Sequence, residues 1–137
     1  MRIKQDFKPL RIVTTSAMLL SALILTFVCV SPNIVMAELK NSMAPALSSA
    51  IEKAHSDDVE SALDEILEMK CLVEERRKLL LTFFPHGPMQ ELTEAIRAAE
   101  EIAATGEASQ LLAELAAIES ELIYMERNNK LITENLF

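Results

Sequence analysis

The chain contains no tryptophan, a single tyrosine and only two glycines in 137 residues. Without large aromatic side chains, any core must be aliphatic and filled by its seven methionines, which pack adaptably rather than sharply. With glycine confined to Gly87 and Gly106, no Gly-rich phosphate loop can be written. Only His55 and His86 carry imidazoles, and only Cys29 and Cys71 carry thiols, so no Cys/His cluster of zinc-ligand spacing exists. Neither is there an ordered Ser/His/Asp set. These absences argue against an enzyme, and no cofactor is implied.

One charged stretch is missing as well. From Ile12 to Val30 there is no charged residue, and Arg2, Lys4, Lys8 and Arg11 precede the run. At helical rise, 19 residues extend about 28 Å, close to the roughly 30 Å of a hydrocarbon core. The run therefore reads as a signal peptide or a signal anchor occupying residues 1–37, with the positive flank inside and residues 38–137 forming an extracytoplasmic helical domain. Two outcomes stay open. Retention makes a single-pass membrane protein held through residues 12–30, whereas Val35-Met36-Ala37 offers a cleavage site whose use releases a secreted domain beginning at Glu38. Pro32 is expected to break the helix after the run. Val28, preceding Cys29, is larger than the small residue usual before a lipidated cysteine.

Charge divides at the same place. Residues 1–37 hold four basic and one acidic side chain, and residues 38–137 hold nine basic and twenty acidic, a net of −11. That sign excludes nucleic-acid binding and argues against tight attachment to anionic lipid. An acidic exterior favours solubility, or attraction of a cation or a basic partner.

What is abundant is Ala, Leu, Glu and Met, and helix is the only regular structure they favour. A first short helix is predicted from Pro45 to Ala54, with Leu47, Ala50, Ile51 and Ala54 on one face. Asp57 and Glu60 resemble a capping box opening a second helix that runs to about Phe84. Pro85-His86-Gly87-Pro88 then reverses the chain. A third helix from Pro88 buries Leu92, Ala95, Ile96, Ala99, Ile102 and Ala103 and stops at Thr105-Gly106. A fourth runs from Glu107 nearly to the end.

Two of these helices carry seams. Ala108, Leu111, Leu115, Ile118, Leu122, Met125, Asn129, Ile132 and Leu136 advance by alternate threes and fours, as do Val59, Ala62, Ile66, Met69 and Val73. A shift of 49 residues lays Ala50, Ala54, Leu63 and Glu65 on Ala99, Ala103, Leu112 and Glu114, which suggests two short-long helical hairpins. The expected fold is all-α: an up-down bundle of about four helices after an N-terminal hydrophobic helix. The seams are expected to close within one chain, so a homo-oligomer is not favoured. The alternative is an intermolecular coiled coil in which Asn129 fixes register.

Four residues stand out as candidates. Arg77 is read as a charge on the apolar face of the second helix, either snorkelling or docking an acidic group; Lys70 on that face is expected to snorkel too. His86 sits between two prolines in a turn, too far from His55 to share a metal. Asn129 interrupts an apolar seam. Cys71 is expected to be exposed beside Asp64, Glu68 and Glu75, where an intermolecular disulfide is thinkable outside the cytoplasm.

Phe83-Phe84-Pro85-His86, Leu111-Leu112-Ala113-Glu114-Leu115, the region of Glu126 and the ending Thr133-Glu134-Asn135-Leu136-Phe137 resemble the bacterial family catalogued as domain of unknown function 4363. That resemblance implies an N-terminal membrane segment followed by paired helices, and no established activity or catalytic residue. Members often carry a tryptophan late in the long helix before the His-containing turn, and this chain has none. Together these observations predict a non-catalytic, anchored or exported interaction or accessory module with a protein partner. The competing expectation is an extracytoplasmic sensor that takes a cation or small apolar molecule between its helices, near Met69 and Met125.

Overall fold

The computed structural model describes residues 8–134, with side chains placed for residues 13–131. The basic flank at Arg2 and Lys4, the side chains of Lys8 and Arg11, the seam positions Ile132 and Leu136, and the ending from Thr133 lie wholly or partly outside those bounds. The described chain forms four helices: α1 (Lys8–His55), α2 (Val59–Phe83), α3 (His86–Thr105) and α4 (Ala108–Glu134). No strand occurs among the described residues. Two compact units divide between Ser31 and Pro32, six residues before the boundary expected after Ala37.

The first unit is helical from Lys8, and Val13–Leu25 are all exposed. Leu19, Leu23 and Phe27 are each more than 60% exposed, as a span facing lipid would be. Hydroxyls in this stretch bond back along the helix, Ser16 to the Val13 carbonyl at 3.0 Å, Ser21 to Ala17 at 2.9 Å and Thr26 to Ala22 at 2.8 Å. They hide their polarity in the backbone.

The second unit is an up-down four-helix bundle. The predicted break at Pro32 does not occur: helical structure is continuous through Pro32 and Pro45, so the expected short helix at Pro45–Ala54 is the end of the 48-residue α1. Each proline forfeits one backbone bond, and tertiary burial outweighs that loss. Met36, Leu39, Met43, Ala46, Ala50 and Ala54 recur by threes and fours on one face and are all buried.

Termini follow local chemistry. At the end of α1, Asp57 adopts φ 60°, and the Asp58 and Asp57 amides donate to the Lys53 and Ala54 carbonyls at 2.9 and 3.2 Å. This Schellman closure takes Asp57 for the left-handed position. The cap of α2 is therefore Asp58, one residue later than expected, whose Oδ1 accepts from the Ser61 amide at 3.2 Å. Side-chain and then backbone hydrogen bonding from Ser61 holds the Asp58 carboxyl below its usual range. Helix α3 begins at His86 rather than Pro88, which falls inside the first turn where a missing N–H costs nothing. Gly106, at φ 84°, closes α3.

Polar contacts give the register. Lys40 bonds Glu126 and Asn33 meets Asn129, antiparallel between α1 and α4. Lys53 and Ser49 reach Glu65, and Arg76 reaches Glu38, antiparallel between α1 and α2. Lys70 bonds Glu100 between α2 and α3, and α3 packs on α4. Inside lie Ile66, Met69, Leu92, Leu111, Leu115, Ile118 and Met125, each under 2% exposed. The α4 seam is buried from Leu111 through Asn129, and the α2 seam from Val59 through Val73 continues to Leu80. Both long helices spend their seams within one chain.

Candidate functional site

The α2 seam steps from Val73 by three to Arg76 and by four to Leu80. The charge on the apolar face is therefore Arg76, not Arg77. Arg76 is 27% exposed, its Nη2 donates to Glu38 at 3.3 Å, and its Nη1 is buried without a partner. Arg77 points outward, 57% exposed, and pairs with Glu74 at 3.2 Å on its own helix. Lys70 also turns outward, to Glu100 at 2.6 Å.

Arg77 and His86 nonetheless share one groove. Both line an open groove of about 280 Å³ beside the α2–α3 turn, floored by Leu81 and Met89 and edged by Thr93 and Glu94. Asn129 lies at the same end of the bundle, on α4, 8% exposed, its Nδ2 donating to Asn33 Oδ1 at 2.8 Å. The pair joins α4 to α1 within one chain. Cys71 is exposed on α2, and Cys29 is buried in α1.

The ionic joints have clear electrostatics. Glu126 accepts from Lys40 at 2.6 Å and Lys130 at 2.9 Å, which holds its carboxyl down to about 2. Hydrogen bonds from Lys53 and Ser49 lower Glu65 as well. Glu121 is the converse. Burial, then the neighbouring Glu91 across the α3–α4 contact, raises its carboxyl, and its Oε2 is buried without a partner.

Among the described residues no three His, Cys, Asp or Glu side chains are placed to hold a metal. Met69 and Met125 are 0% and 1% exposed and serve as packing. The larger grooves lie on the outside: one of about 360 Å³ between α1 and α4, lined by Lys40, Leu47, Ile51 and Ile123, and a neighbour of about 400 Å³ along α4, lined by Ile123, Tyr124, Arg127, Asn128 and Leu131. In the sequence the α4 seam masks these surfaces, because its regular apolar spacing dominates the pattern of that helix. The signal was there, since Ser120, Tyr124, Arg127 and Leu131 also advance by fours and threes.

No protein-family model matches the chain, and neither the curated proteins nor the solved structures compared with it include a match.

Proposed function

We propose that this protein is a membrane-anchored, non-catalytic helical module that acts by contact with a protein partner outside the cytoplasm, and that its N-terminal segment is retained. The observation that carries the anchor is Met36, which is 1% exposed in the bundle core. The cleavage site after Ala37 falls within α1, between buried Met36 and buried Leu39. Cleavage during export acts on the chain before it folds, so what burial decides is whether the bundle survives without the residues removed. A cut there would take Asn33 from its bond with Asn129 and remove Val35 and Met36 from the core, with a cost on the order of 2–5 kcal/mol for the methionine alone. These contacts support retention of what precedes Ala37.

The partner-directed role rests on the apolar groove between α1 and α4, lined by Leu47, Ile51, Leu122 and Ile123. Intact mass and peptide mapping of the protein extracted from cells test the anchor: residues 13–37 should remain joined to the bundle, and a chain beginning at Glu38 would overturn it. Native-gel analysis of mild-detergent extracts tests the role, which predicts co-migration with a second protein; migration as the lone chain in every extract would refute it.

A further inference from the structure

The net charge of the bundle hides a segregation. Residues 44–70 and 96–119, the half remote from Asn33, hold twelve acidic and three basic side chains, a net of −9. Residues 32–43, 71–95 and 120–131, the half that carries Asn33, hold seven acidic and six basic, a net of −1. The overall sign, which argues against contact with anionic lipid, thus describes the far half.

Chain length bounds how far Asn33 can lie from the apolar run. Only three residue steps lead from Val30 to Asn33, so Asn33 lies within about 11 Å of the end of the apolar run whatever path the backbone takes. Headgroup regions extend roughly 5–8 Å beyond the hydrocarbon. Asn129 is bonded to Asn33, and Leu131 lies two residues further toward that end of α4, about 3 Å by helical rise.

The side chains shown there suit an interface. Leu131 is 53% exposed, Tyr124 50% and Ile34 59%. Arg127 stands between Tyr124 and Leu131 in the α4 groove, and Lys130 adjoins it. An amphipathic ring, aliphatic side chains and long cations that can snorkel are the residues that favour headgroup depth. At physiological salt the screening length is about 8 Å, so only charges close to the surface are felt and the acidic far half is screened.

We infer that the Asn33 end of the bundle, through Ile34, Tyr124, Arg127 and Leu131, is a lipid-contacting surface that binds the phosphate headgroups of the membrane holding α1. The contact orients the acidic half away from the bilayer. The inference rests on the anchored reading, and the two can fail separately.

The test uses the full chain in nanodiscs of zwitterionic lipid, with and without anionic phosphatidylglycerol. Since the protein has no tryptophan, Leu131→Trp gives a unique fluorophore at a half-exposed site. Its emission should shift blue on transfer from detergent to discs and be quenched by headgroup spin-labelled lipid. Adding Arg127→Gln should lower the contact equilibrium about five-fold in anionic discs, the value of one basic residue near such a surface, and less in zwitterionic ones. Circular dichroism of each variant checks that the bundle is intact. A fluorophore open to aqueous iodide in both discs, in a chain that co-elutes with them, overturns the lipid contact, spares the anchor and leaves the face to a protein partner. An embedded fluorophore indifferent to lipid charge and to Arg127→Gln overturns headgroup binding. A chain that leaves the discs overturns the anchor itself.

Discussion

Arg76 occupies a place where the heptad rhythm asks for an apolar side chain. Flanked by buried Val73 and Leu80, it gains one 3.3 Å contact with Glu38 and leaves Nη1 buried without a partner. A partly buried cation with one nitrogen left unpaired costs more than the apolar side chain of similar length it displaces. Arg76→Met should therefore raise stability by about 1–3 kcal/mol, read as a higher urea midpoint with unchanged slope. A loss of stability would show that the guanidinium has a further role. Asp57 is the second residue under strain, since a left-handed backbone costs a non-glycine residue about 1–2 kcal/mol. Asp57→Gly should recover roughly 1 kcal/mol in the same assay, and it leaves the Asp58 cap untouched.

Among the elements, α1 departs most from the expectation drawn from its residues. Pro45 is exposed, inside the helix and on the face opposite the core, so its own ring adds no core packing to offset its missing N–H. Pro45→Ala should stabilise the bundle by about 1–3 kcal/mol, measured by denaturation of the full chain in detergent. How much was legible follows from which signals are local. The α4 seam could be read because three-four spacing from Leu111 to Asn129 is uninterrupted. The continuity of α1 could not, because a proline weighs locally against helix while the burial of Met36, Leu39 and Met43 that overrides it depends on three distant helices. Arg76 was legible in principle. The run Leu79-Leu80-Leu81 blurs the phase, and only continuing the step from Val73 singles it out. Of two adjacent aspartates, the cap fell to Asp58 because the closure of α1 needs Asp57 in the left-handed position. The candidate surface on α4 was the least legible, since its exposed second face acquires meaning only once Asn129 is seen paired near the anchor.

At the scale of the whole molecule, acid should have opposing effects at different pH. The far half concentrates twelve carboxylates against three cations, and their mutual repulsion weakens as protons first bind. Glu121 acts in the same direction. Its carboxyl is raised in the fold, so its favourable contribution is complete below the ordinary glutamate value near 4.5 and is lost as pH rises through the raised one. Glu65 and Glu126 oppose this. Both are lowered in the fold, so their stabilisation is complete above about 4.5 and is lost as pH falls, for Glu126 down to about 2. Both join α1 to a neighbour, Glu65 on α2 and Glu126 on α4, so protonation loosens that helix from two sides. Stability should consequently rise from pH 7 toward pH 5 and fall steeply between about 4.5 and 2. Urea midpoints across that range would measure the profile, and added salt should raise the pH 7 value by screening the far half. Glu121→Gln separates the terms. It should stabilise the protein at pH 7, flatten the rise toward pH 5 and leave the acid limb set by Glu65 and Glu126 unchanged, whereas an unaltered profile would mean that the Glu91–Glu121 contact carries no weight in the balance.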